Sequence, residues 1–146
     1  MATVIDCHTK EVIGWAADDN YKTPLIEKAI EMAARNFPLA DKAIFHPDRG
    51  SNYTSQKFAE TLKKYNFRHS VSRAGICYDN AMAESFFAAL KYERVHRTQY
   101  PTREHARRDI VRYIEFWYNS RRRRSGIQYR TPQQVRNEYL ERQSAA

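Results

Sequence analysis

Over its first 72 residues the sequence alternates short β-rich runs with segments of helical period, and this alternation limits the possible folds more than any single residue does. Ala2 to Asp6 and Val12 to Ala17 are β-rich, and the five residues between them suit a hairpin-like connection. Thr23 can cap, and Pro24 can fill the first turn of, a helix that ends by Pro38. Its apolar positions Leu25, Ile26, Ala29, Ile30 and Ala33 recur at helical spacing. Ala43 to Phe45 reads as a short buried strand and Ser55 to Tyr65 as a helix with Phe58, Leu62 and Tyr65 on one face. Arg68 to Ser72 reads as a returning strand. The order strand, strand, helix, strand, helix, strand is that of an α/β protein.

The second half is helical. Asp79 or Asn80 can cap a helix from about Ala81 to Arg94, with Ala83, Phe86, Phe87 and Leu90 turned to a core. Glu84, Ala88 and Lys91 share another face, because seven residues bring a helix round to within about 20° of its start. A longer helix is expected from about Arg103 to Asn119, with Ala106, Ile110, Tyr113, Ile114 and Trp117 inward and Arg108 and Arg112 roughly opposite. Arg121, Arg122, Arg123 and Arg124 then form the densest charge run. A short helix to about Leu140 and a frayed tail from Gln143 close the sequence.

At 146 residues one compact unit is expected, with residues 1–119 as its body and 120–146 as a basic extension. Lys and Arg number 25 against 17 Asp and Glu, a formal charge of +8, which points to a polyanionic partner. No apolar stretch approaches the roughly 18 residues needed to cross a bilayer, so no membrane partner and a cytoplasmic setting are expected. Cys7 and Cys77 are expected to be reduced thiols. They stand in no Cys-x-x-Cys or Cys and His grouping suited to zinc.

Two carboxylates stand out. Asp48 follows the short strand in His46, Pro47, Asp48, Arg49, Gly50; Glu84 lies 35 intervening residues later on a helix, with Lys91 seven positions beyond. Taken singly, Asp48 reads as a turn residue before Gly50 and Glu84 as a first-turn carboxylate favoured by the helix dipole. Together they suit metal-dependent attack on a phosphodiester. That chemistry places two divalent cations about 3.5 to 4 Å apart on the attacking and leaving oxygens, and hard Mg²⁺ takes oxygen ligands. Arg49 and the polar residues after Gly50 can position phosphate, and His46 reads as packed at the strand end. If the four arginines of the 121–124 run engage about four phosphates, log affinity falls with log salt at a slope near −3.6.

The runs HPDRGSNYTS (46 to 55) and CYDNAMAESFFAALKYE (77 to 93) resemble signature regions of bacterial insertion-sequence transposases with an integrase-type D,D,E core. ATVIDCHTKEVIGWA (2 to 16) and YNSRRRRSGIQYRTP (118 to 132) extend the likeness over nearly the whole sequence. The resemblance implies an RNase H-like fold, with Asp48 and Glu84 as the second and third acidic residues and Mg²⁺, or Mn²⁺, as the metal they hold. It further implies Lys91 on DNA, self-association, hydrolysis at transposon ends and attack of a 3′-hydroxyl on target DNA.

The family's first catalytic aspartate lies on a strand upstream of the segment matching Ala2 to Asp6. Asp6 has the right type at a strand end, but its surroundings match the second strand, where the aspartate is not catalytic. Because the first strand lies mid-sheet, its absence is expected to expose two backbone edges. The expectation is a partial core whose edges close on each other or are filled by a further strand or partner, inactive or weakly active alone. The alternative is a non-catalytic DNA-binding or oligomerising fragment.

Overall fold

The computed structural model describes residues 1–19, 23–47, 55–70 and 81–145. They fall into two compact units: Met1–Val4 with Ile13–Glu84, and Ile5–Val12 with Ser85–Ala146. The division falls at Glu84, so the residues from 120 onward belong to the same unit as the two helices before them.

In the first unit β1 (Ala2–Ile5) and β2 (Val12–Ala16) pair as a two-stranded sheet. Alternation along β2 buries Val12, Gly14 and Ala16. Helix α1 (Thr23–Asn36) lays Leu25, Ile26, Ala29, Ile30 and Ala33 into the interior, the stripe expected from their spacing. Strand β3 (Ile44–Phe45) and β4 (Arg68–His69) pair in parallel, Ile44 opposite Arg68 and Phe45 opposite His69. Between them runs α2 (Gln56–Lys64), whose cap Ser55 accepts a hydrogen bond from the Phe58 amide at 3.2 Å. Phe58 and Leu62 complete a core with Ala2, Ala16 and the α1 stripe, and Phe45 packs edge-on to Phe58 and Phe67. β1–β2 and β3–β4 are separate sheets, with no ladder joining them among the described residues.

In the second unit α3 (Ala81–Glu93) buries Phe86 and Leu90, while Ala83 and Phe87 are only half-buried. After a 3₁₀ turn at Val95–Arg97, α4 (Arg103–Arg112) starts on Thr102, whose hydroxyl accepts from the His105 amide. The helix expected to run on to Asn119 instead changes to π form over Tyr113–Tyr118. The Asn119 amide bonds the Ile114 carbonyl, five residues back, at 3.1 Å. This corrects the inward list: Tyr113 and Ile114 are buried, but Tyr118 takes the next buried place and Trp117 is turned out, 49% exposed. Each π turn takes an extra residue, so the inward position after Tyr113 falls at the fifth residue rather than the fourth.

Helix α5 (Pro132–Ser144) starts with Pro132 in its first turn and a capping box in which Thr131 and Gln134 bond each other's backbone amides. It runs past Leu140 where a frayed tail was expected, because Gln143 bonds the Tyr139 hydroxyl and Ser144 the Leu140 carbonyl.

Gly14 is fixed by space. A Cβ there would stand 2.2 Å from the Ala29 carbonyl oxygen and 2.9 Å from the Ala33 Cβ, so strand and helix meet at backbone distance. Gly14→Ala is expected to lower the unfolding free energy by about 3 kcal/mol, the upper part of the overpacking range. Gly126→Ala, where an added methyl meets nothing within 4 Å, is expected to be neutral by comparison. Guanidinium unfolding followed by circular dichroism checks both.

Candidate nucleic-acid interface

Asp48 and Arg49 lie outside the described residues, as do Gly50, Cys77, Asp79 and Asn80. Of the acidic pair, Glu84 stands exposed in the first turn of α3, and Lys91 is exposed two turns on. Among the described residues no group of three or more His, Cys, Asp or Glu side chains could hold a metal ion, and the pairing of Glu84 with Asp48 rests on sequence. His46 follows β3, half-buried as a packed strand-end histidine would be. Cys7 is a free, exposed thiol.

Asp6 is committed to its own turn. Its carboxylate accepts from the His8 amide at 3.2 Å, the Thr9 amide at 3.1 Å and the Thr9 hydroxyl at 2.6 Å, closing the connection between β1 and β2. These bonds give it a structural role and leave the role of first metal ligand without support.

The four arginines of the 121–124 run are not equivalent. Arg121 and Arg123 are exposed. Arg122 forms an ion pair with Glu93, Nη2 to Oε1 at 2.6 Å and Nε to Oε1 at 2.7 Å, and lies over the Tyr118 ring 5.8 Å from its centroid. Arg124 lies over the same ring at 5.3 Å and bonds the Ser85 hydroxyl at 2.9 Å. Its Nη1 is buried without a hydrogen-bond partner, and burial pulls its pKa down. Two charges of the run face outward, and two are built into the fold.

Glu93 is the centre of this arrangement. It accepts from Arg122, from the Tyr113 hydroxyl at 2.8 Å and from Trp117. Burial alone would push its carboxyl up. The donors outweigh that and hold its pKa below the ordinary range. Burial, reinforced by Glu93, raises the Tyr113 phenol, so the proton stays on tyrosine. Nearby, Arg94 binds Asp109 at 2.7 Å through Nε, and Tyr100 donates to the same carboxylate at 2.7 Å. The Arg94 bonds hold the pKa of Asp109 low.

Two further residues escaped the sequence reading. Asn119 is buried and pairs with the backbone of Val12 in both directions, accepting from its amide and donating to its carbonyl, each at 3.0 Å. Its own carbonyl accepts from the Gln133 amide at 3.0 Å, so within the second unit one side chain and one peptide group tie Val12, the end of the π segment and α5 together. Glu11 is buried against Arg136 at 3.0 Å. Desolvation lifts its carboxyl to about 7 against the pull of Arg136, with Asp6 and Glu115 adding to the rise. A glutamate in a hairpin connection gives no signal of this in sequence.

A family model described as "Integrase core domain" matches residues 1–77, and a second with the same description matches residues 56–132. The chain belongs to the integrase core domain family, and membership implies the RNase H-like fold. It is similar to the "Transposase for insertion sequence element IS904" of Lactococcus lactis subsp. lactis (strain IL1403), 35% identical over 132 residues, which are 90% of this chain and 52% of that one. It is also similar to the "Transposase InsF for insertion sequence IS3A" of Escherichia coli (strain K12), 39% identical over 140 residues, which are 96% of this chain and 49% of that one. The chain thus spans about half the length of the curated relatives it matches. Among the described residues no helix is long and apolar enough to cross a membrane.

The two carboxylates titrate in opposite senses. Glu93, with a lowered folded pKa, contributes stability above the ordinary carboxylate value of 4.5 that is lost as pH falls through the folded value. Glu93→Gln is therefore expected to cost about 2 kcal/mol at neutral pH and progressively less below pH 4.5. Glu11, raised to about 7, contributes stability that is full below 4.5 and lost as pH rises through 7, on the order of 3 kcal/mol. Thermal melts across this range should show Glu11→Gln gaining on the parent protein as pH rises.

Proposed function

We propose that this chain acts in DNA transposition as an integrase-type core: hydrolysis of DNA at transposon ends, then transfer of the 3′-hydroxyl strand into target DNA. The observation that carries this reading is the integrase core match, which runs over both Asp48 and Glu84. The relatives named transposases support it. Asp48 and Glu84 are the proposed metal ligands, oxygen donors suited to Mg²⁺ or Mn²⁺. Bound there, the divalent metal would activate the attacking oxygen and stabilise the leaving one. The exposed position of Glu84 in the first turn of α3 leaves its carboxylate accessible for that role. Self-association, which the family resemblance implies, is proposed as well.

For DNA contact, Lys91, Arg121 and Arg123 are exposed cations of the second unit's proposed face, and Arg49 completes the set from sequence. Arg122 and Arg124 contribute through the fold. On this proposal Arg121 and Arg123 supply two phosphate contacts, and their share of the salt dependence is a slope of about −1.8.

Duplex binding measured over a range of salt concentrations tests the surface. Arg121→Gln with Arg123→Gln is expected to flatten the slope by about 1.8 and leave stability unchanged, whereas Arg122→Gln is expected to lower the melting temperature. A nicking and strand-transfer assay with Mg²⁺ or Mn²⁺ tests the chemistry: weak metal-dependent products, abolished by Glu84→Gln with duplex binding retained, are the expected result. DNA retention with no metal-dependent cleavage would make the chain a DNA-binding fragment instead.

A further inference from the structure

On the second unit, the end of α3, the following 3₁₀ turn and the α4–π segment enclose an open groove of about 620 Å³. That is within the range of sites that take small organic ligands. Two aromatic side chains line it from the π segment, Phe116 (70% exposed) and Trp117 (49% exposed). Both are outside because the π turns rotate the helix: with α geometry throughout, Trp117 would follow Tyr113 inward. The Trp117 ring also stands near the Glu93 carboxylate. An aromatic face in contact with solvent is the element on which a base stacks.

The charge around the two rings is cationic. Glu93 and Asp109 line the groove, but Glu93 is taken by Arg122 and Tyr113, and Asp109 by Arg94 and Tyr100. Arg97 and Arg121, also on the lining, have no ion-pair partner among the described residues. Exposed rings beside unpaired guanidinium groups suit a ligand that is both planar and anionic. A second copy bound through the same patch by a twofold axis would set these arginines against themselves. A single strand of DNA supplies both complements: unstacked bases for Trp117 and Phe116, and phosphates for Arg97 and Arg121. A duplex offers the phosphates, but its bases are stacked on one another.

We propose that the groove is a binding site for single-stranded DNA, with bases on Trp117 and Phe116 and the backbone on Arg97 and Arg121. This rests on the DNA reading above and adds to it a place for an unpaired strand, such as a frayed end next to a cut.

Fluorescence anisotropy with labelled oligo(dT), and with a labelled duplex of the same length, tests it on the intact chain. Phe116→Ala and Trp117→Ala are each expected to weaken oligo(dT) binding by about tenfold, the loss of one stacked base, with duplex binding little changed. Trp117→Phe should retain most of the affinity, and Arg97→Gln should lower the salt dependence for oligo(dT). Because Phe116 is largely exposed, its variant stays informative even if the Trp117 variant fails to fold. If oligo(dT) is not bound while duplex is, or if the ring variants bind it as the parent does, the proposal falls and the DNA reading stands. If neither nucleic acid binds, both fall. If sedimentation finds a dimer that the ring variants abolish while oligo(dT) affinity is unchanged, the groove belongs to a second copy and the proposal is overturned.

Discussion

A carboxylate taken partly out of water needs donors around it, and the organisation of the second unit follows from how Glu93 finds them. Three side chains contribute: Arg122 from the arginine run, and Tyr113 and Trp117 from the π segment. Each bond has a consequence away from the carboxylate. Arg122 is withdrawn from solvent, Tyr113 is kept protonated, and Trp117 is held with its ring at the surface. Asn119 does comparable work with neutral groups, replacing a strand neighbour for Val12 while its own carbonyl receives the first turn of α5.

The first unit depends on close backbone approach. Ala29 and Ala33 give α1 a flat face, and Gly14 lets β2 meet it without an intervening side chain. Phe58, Leu62 and the aromatic cluster of Phe45 and Phe67 fill the remaining space. Small residues at the contact and large ones at its edge make a helix and a narrow sheet pack without voids.

Much of this was legible in the sequence because period and capping are local. The stripe Leu25, Ile26, Ala29, Ile30, Ala33 is buried as its spacing implied, and the helix read from Ser55 does start there, on the Ser55 hydroxyl. Trp117 was assigned to the wrong side because a helical wheel assumes one pitch, and nothing local to Tyr113–Tyr118 announces a change of it. The four arginines looked equal because charge is counted per residue, whereas pairing depends on Glu93 and Tyr118, which only the fold brings near. The acidic pair was legible as a pattern, Asp48 at a strand end and Glu84 on a helix. The geometric part of that pattern is visible for Glu84 alone among the described residues.

The π segment has a consequence for how this surface changes over time. A hydrogen bond closed over five residues in place of four is what a single inserted residue leaves in an α-helix, so the outward turn of Phe116 and Trp117 is a matter of chain length before it is one of side-chain type. Loss of one residue between Tyr113 and Tyr118 would restore the shorter repeat and put Tyr118 four residues after Tyr113, which keeps both buried tyrosines inward. In this part of the molecule a one-codon deletion would take a residue out of the exposed face while leaving the core register intact.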